Sequence, residues 1–143
     1  MKLKEIMTRD VEIVRPQDTL QTAAQKMRDR DIGFLPVFEK DELIGALTDR
    51  DLVMRGVAEG MNSKATLGRE FATSPAIYCY ENQDAEDAAQ LMNKYRIRRL
   101  VVLNPNNHRL AGVVSMGDLA GIVSESLANR LFQGVSASVK TPA

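Results

Sequence analysis

The stretches "ALTDRDLVMRG", Ala46–Gly56, and "GVVSMGDLAGIV", Gly112–Val123, decide the fold. In each, a β-like apolar run becomes a helix-like one, and a hydroxyl residue at the junction is followed three residues later by an aspartate. The pairs are Thr48 with Asp51 and Ser115 with Asp118. A threonine or serine there caps the helix start, and the carboxylate can reach back to the cap residue's own N–H, forming a shortened capping box. One such pattern is a local device. Two, each after the same kind of run, point to a repeat.

Outward from this pair the repeat continues. Glu5, Thr8, Ala23, Ala24, Gln25, Met27, Ile32, Leu35 and Val37 recur 65 positions later as Glu70, Thr73, Ala88, Ala89, Gln90, Met92, Ile97, Leu100 and Val102. The offset becomes 67 once "EKDE" is answered by the longer "NPNNHR", so that Gly45, Asp51 and Leu52 match Gly112, Asp118 and Leu119. A hairpin tip is where a chain best accepts an insertion.

Each repeat reads as strand, helix, two strands and helix. "VEIVR" and "AIYCY" are the opening strands. The helices after them carry apolar faces at i, i+3, i+4 and i+7: Leu20, Ala23, Ala24 and Met27, then Ala85, Ala88, Ala89 and Met92. Asp18 with Gln21 resembles a capping box for the first. "GFLPVF" with "LIGALT", and "RLVVL" with "RLAGVVS", are hairpins. The closing helices carry Leu52, Val53 and Val57, and Leu119, Ile122, Val123, Leu127 and Leu131. The expected division is residues 1–62, residues 63–133 and a frayed tail over 134–143, with Ala58–Thr66 as connector. Neither repeat has enough apolar surface to stand comfortably alone, so the two are expected to share one core.

Composition narrows the function. The 19 basic and 19 acidic residues balance, which argues against a broad electrostatic grip on nucleic acid. No apolar run approaches a membrane span, and "MKLKEIMTRD" has no apolar segment behind its lysines, so a soluble, unexported, cytoplasmic protein is expected. One cysteine, Cys79, and one histidine, His108, allow no zinc site of the usual kind within a chain. A Cys–His nucleophilic pair would have to join a strand interior to a loop tip, so no catalytic residue is assigned. No Gly-rich phosphate loop is present.

The ordered set of "EIMT", "IGFLPVF", "IRRLVVL" and the two hydroxyl–aspartate junctions, from Leu3 to about Ser124, resembles the CBS domain pair, or Bateman module, of the stand-alone bacterial type. The resemblance implies an α+β fold of two tandem β-α-β-β-α repeats in pseudo-twofold symmetry, with adenosine-containing ligands in clefts between them. It implies that Asp51 and Asp118 take ribose hydroxyls beside Thr48 and Ser115, and that Arg98 and Arg99 reach phosphate. It places adenine against Ile32, Gly33 and Ala46 in one half, and Ile77, Ile97 and Val113 in the other. Repeat one has "DIGFLP" where repeat two has "RIRRLV", and Phe34 stands where a small residue is usual, so the Asp118 site is expected to be the better one. The implied ligand is AMP or another adenine nucleotide, with ATP, NAD and S-adenosylmethionine as alternatives, and the implied state is a homodimer acting on an unknown protein target. Met116, Leu119, Leu127 and Leu131 are candidates for a partner surface or for core. An adaptor with empty clefts is the alternative function, favoured by Phe34; an enzyme is the weakest reading.

Overall fold

The computed structural model describes residues 1–65, 72–130 and 133. The chain forms two compact units: Val11–Ala76, and Met1–Asp10 together with the chain from Ile77 onward. The units therefore differ from the sequential repeats by an exchange of opening segments. The expected tail over 134–143, Thr66 of the connector and Leu131 lie outside the described residues.

The Val11–Ala76 unit contains α1 (Leu20–Arg30), the strands β1 (Phe34–Glu39) and β2 (Glu42–Thr48), and α2 (Asp49–Asp51), which runs straight into a π-helical stretch, Leu52–Val57. The strands pair antiparallel, Phe34 opposite Thr48 and Leu35 opposite Leu47, around a two-residue turn in which Lys40 takes φ +56°. Leu20, Ala23 and Met27 of α1 meet Leu35, Val37 and Leu47 in a core that includes Val14 and Leu52. The helical spacing read from the sequence thus does what it should: it turns one stripe of α1 onto the hairpin.

The second unit carries the full β-α-β-β-α order: β3 (Tyr78–Tyr80), α3 (Ala85–Tyr95), β4 (Arg99–Leu103), β5 (Leu110–Ser115) and α4 (Met116–Ala120). β3 lies parallel to β4, and β4 antiparallel to β5. Ala85, Ala88, Ala89 and Met92 of α3 pack on Cys79, Leu100, Val102 and Val114, with Leu3 and Met7 of the opening segment in the same cluster. Both hairpins have a bulge at the equivalent point, after Val37 and after Val102. The fold is α+β, a duplicated unit of hairpin and helices.

Four expectations change. The strand expected at "VEIVR" shrinks to one parallel bridge, Val14 with Val37, because the flanking backbone groups go elsewhere. Lys26 Nζ donates to the Ile13 carbonyl at 2.7 Å, and the Arg15 N–H donates to Asp18 Oδ2 at 2.9 Å. Asp18 is thereby used outside the helix, and the cap of α1 is Thr19, whose hydroxyl accepts the Thr22 N–H at 3.1 Å. The closing helix of the second repeat breaks after α4 and resumes over 125–130, where Ser124 Oγ accepts the Leu127 N–H. Finally, Val53 and Val57 are 55% and 69% exposed, whereas Leu119 and Leu127 are core. Among the described residues the exposed apolar face thus belongs to the first closing helix.

Candidate functional site

The two junctions have the same geometry. The Thr48 N–H donates to Asp51 Oδ2 at 2.9 Å and the Asp51 N–H donates to Thr48 Oγ1 at 3.1 Å. The Ser115 N–H donates to Asp118 Oδ2 at 2.9 Å and the Asp118 N–H donates to Ser115 Oγ at 3.1 Å. Each box fixes its aspartate rotamer at the end of a strand and consumes one carboxylate oxygen. The other oxygen distinguishes the sites. Asp51 Oδ1 lies 4.0 Å from Arg55 Nε one turn on. The position matching Arg55 is Ile122, which packs against the core, and Asp118 forms no ion pair with a described residue.

Register places the other candidates. Arg99 is opposite Ser115, and Val113 is opposite Val101, which is itself beside Tyr78. Residues paired across strands share a face, so Arg99, Ser115, Val113 and Tyr78 line one side of the sheet. The other side, with Cys79, Leu100, Val102 and Val114, rests on the core. Arg98 is tied to the mouth of α4 through its backbone, its carbonyl accepting the Met116 N–H at 2.8 Å. Both arginines are exposed. The structure thus brings Ser115, Asp118, Arg98, Arg99 and Val113 together. Ile77 and Ile97 instead pack against the core, and the neighbouring Tyr78 is the residue that reaches the sheet face, 41% exposed. Its alternation with buried Cys79 is the sequence signal that finds it.

In the Val11–Ala76 unit Phe34 takes the register position of Arg99, opposite Thr48. Gly33 takes that of Arg98, its carbonyl accepting the Asp49 N–H at 3.0 Å. A Cβ on Gly33 would sit 2.7 Å from Asp49 Oδ2, so the glycine leaves room for that carboxylate. Ile32 is 36% exposed beside it. Ala46 and Val113 spend both backbone groups on bridges, Ala46 with Thr73 and Val113 with Thr8, at 2.8 to 3.0 Å. Any contact these two make with a ligand is therefore through the side chain.

Among the described residues no three His, Cys, Asp or Glu side chains gather as a metal site would require, and no helix is long and apolar enough to cross a membrane. Cys79 is buried and its thiol is pushed up to about 12, first by burial and then by the charge of Asp87. His108, at the hairpin tip with φ +60°, lies 3.4 Å from the Tyr80 hydroxyl, and the rings of Tyr78, Tyr80 and His108 meet edge to face.

Comparison with known proteins bears on both units. The CBS domain model matches residues 3–57 and 68–125. The CBS domain-containing protein YhcV of Bacillus subtilis (strain 168) is 39% identical over 118 residues, 82% of either chain. The crystal structure of Hypoxic Response Protein I with two coordinated zinc ions is 34% identical, with a TM-score of 0.77 over 87% of this chain and 100% of that one. The structure of CBSX2 in complex with AMP shares the fold, with a TM-score of 0.68 over 84% of this chain and 93% of that one, at 21% identity. With both repeats matched and a relative of this closeness covering most of its length, the chain belongs to the CBS domain family as a tandem pair.

Proposed function

We propose that this protein is a regulatory module that binds an adenosine-containing nucleotide at the Ser115–Asp118 junction. The observation that carries the reading is the second oxygen of Asp118. The capping box holds the side chain in place, no cation among the described residues forms an ion pair with it, and two arginines and a half-buried sheet face adjoin the junction. A carboxylate so held accepts from both hydroxyls of a cis-diol, each charge-assisted bond being worth about 1.5–3 kcal/mol. Arg98 and Arg99 supply the complement for phosphate, and Val113, with Tyr78 on the same sheet face across Val101, lies against the base. The Thr48–Asp51 junction is the weaker site, because Arg55 already faces Asp51 and Phe34 replaces the second arginine. The AMP complex of a protein with this fold is consistent with the reading.

The role is regulatory rather than catalytic, and the working state is a homodimer in which a second copy covers Val53, Met54 and Val57, all exposed in the single chain. Sedimentation tests that state; a monomer at tens of micromolar contradicts it. Calorimetric titration with AMP tests the site. Asp118→Ala should weaken binding about tenfold to a hundredfold, as loss of roughly 1.4–3 kcal/mol requires. An unchanged dissociation constant, with only the loss of stability that a missing cap produces, would leave Asp118 as a structural residue and favour the adaptor.

A further inference from the structure

The first closing helix turns three large apolar side chains, Val53, Met54 and Val57, to solvent. The winding over Leu52–Val57, with the Ala58 N–H donating to the Val53 carbonyl at 2.9 Å, points Leu52 and Gly56 inward instead. Gly56 packs against Leu20 of α1, where a Cβ would meet Cδ1 at 2.9 Å, and this seats the stretch with its outer side to solvent. At the offset of 67 the outer places of the second unit hold Ala120, Gly121 and Ser124, while the inner ones, Leu119 and Val123, stay apolar and buried. The fold therefore needs no large apolar side chain at the outer positions. The face is a property of one unit and answers to something other than its core.

One member of this face carries redox chemistry. Of the chain's seven methionines, Met7, Met27 and Met92 are buried, and Met61 and Met116 are half-buried. The two exposed ones are Met54, at 42%, and Met1, at 60%, which belongs to the other compact unit. Cys79 does not compete for an oxidant: its thiol is buried and pushed up to about 12, so the reactive thiolate is scarce at neutral pH.

We infer that Met54 is a site of reversible oxidation by a peroxide, and that its sulfoxide disfavours the pairing of this chain with a second copy. The inference rests on the homodimer reading above and adds a modification site to it. The thioether sulfur attacks one peroxide oxygen, the O–O bond breaks and an S–O bond forms; sulfur loses two electrons, the peroxide gains them, and its second oxygen leaves as water. A dithiol reductase reverses the step, its two thiols becoming a disulfide while the oxygen departs as water. The sulfoxide is strongly polar in the middle of an apolar face, and burying it there without a hydrogen-bond partner is unfavourable. Assembly in turn shields the sulfur, so oxidation and pairing oppose each other.

Hydrogen peroxide applied to the full chain, at protein concentrations below and above the dissociation constant of the dimer, tests this. Peptide mass spectrometry follows oxygen uptake at each methionine. Met54 should oxidise well ahead of Met27 and Met92 in dilute protein, and about tenfold more slowly once the second copy covers it, with the rate at Met1 unchanged. Sedimentation of the oxidised wild type should give a dissociation constant raised about tenfold or more. In Met54→Leu the ratio of the constants after and before peroxide should be about one, and Met54→Gln should pair as weakly as oxidised wild type with no peroxide added. A rate at Met54 indifferent to protein concentration, a dissociation constant indifferent to its oxidation, or a response that persists in Met54→Leu overturns the inference while the homodimer stands. A wild type that stays monomeric throughout overturns both.

Discussion

Asp118 and Asp51 sit alike in their capping boxes and differ at the outer oxygen. The inner oxygen of each completes a capping box, and substitution by alanine should cost about 1 kcal/mol of folding stability at either site. The ligand effect should be unequal, because only Asp51 has an arginine at its outer oxygen. Asp51→Ala is therefore expected to leave nucleotide affinity within about twofold, against the tenfold or greater loss at Asp118. Cys79 offers a second test at this scale. Its folded pKa is raised from an ordinary 9.0 to about 12, so its contribution is intact below about pH 9 and is lost as pH rises toward 12. Wild type and Cys79→Ala, compared by urea unfolding, should converge by about 1 kcal/mol between pH 8 and pH 10; parallel curves would contradict the burial of the thiol. The boxes were legible because both partners lie three residues apart. The Arg55 contact was legible in principle from its i, i+4 spacing to Asp51, and the position of Tyr78 from strand alternation.

Elements were legible wherever their signal is local. Both hairpins, α1, α3 and the starts of α2 and α4 follow from period and punctuation, and even the two-residue change of offset falls at the β4–β5 turn. What failed depends on competition for backbone groups. "VEIVR" has strand composition, yet Lys26 and Asp18 take the carbonyl and N–H that a ladder would need. Val53 and Val57 have helical spacing, yet the stretch Leu52–Val57 is wound as a π-helix, which shifts residues from their α-helical faces. The bridges at Ala46 and Val113 explain two of the glycines. A Cβ on Gly45 would come 2.8 Å from the Thr73 carbonyl, and one on Gly112 would come 2.5 Å from that of Thr8. Backbone cannot yield as a side chain can. Gly112→Ala and Gly45→Ala should each cost about 1–3 kcal/mol in chemical denaturation, whereas Gly33→Ala, whose neighbour is the movable Asp49 carboxylate, should cost less.

At the scale of the molecule the duplication is real, but its compact units are not its sequence repeats. Met1–Asp10 belongs to the unit that begins at Ile77, and Thr73 is bridged to Ala46 in the other. Leu3 is fully buried in the second-repeat cluster, its N–H donating to the Gln83 carbonyl at 2.9 Å. No periodicity in a single chain reveals such an exchange, since it depends on which of two similar surfaces a short segment meets. Leu3→Ala should therefore cost about 2–5 kcal/mol, and hydrogen exchange should show the loss first in α3, β4 and β5, not in α1 and β1 beside it in sequence. The family and the helix-mouth pairs were visible from the sequence; the inequality of the two mouths was visible only in part, through Phe34 and the double arginine. The most direct test of the central claim is an amide NMR titration of the whole chain with an adenine nucleotide. The account predicts saturable shifts centred on Arg98, Arg99, Ser115 and Asp118; an unchanged spectrum at millimolar nucleotide, or shifts that avoid these four, would contradict it.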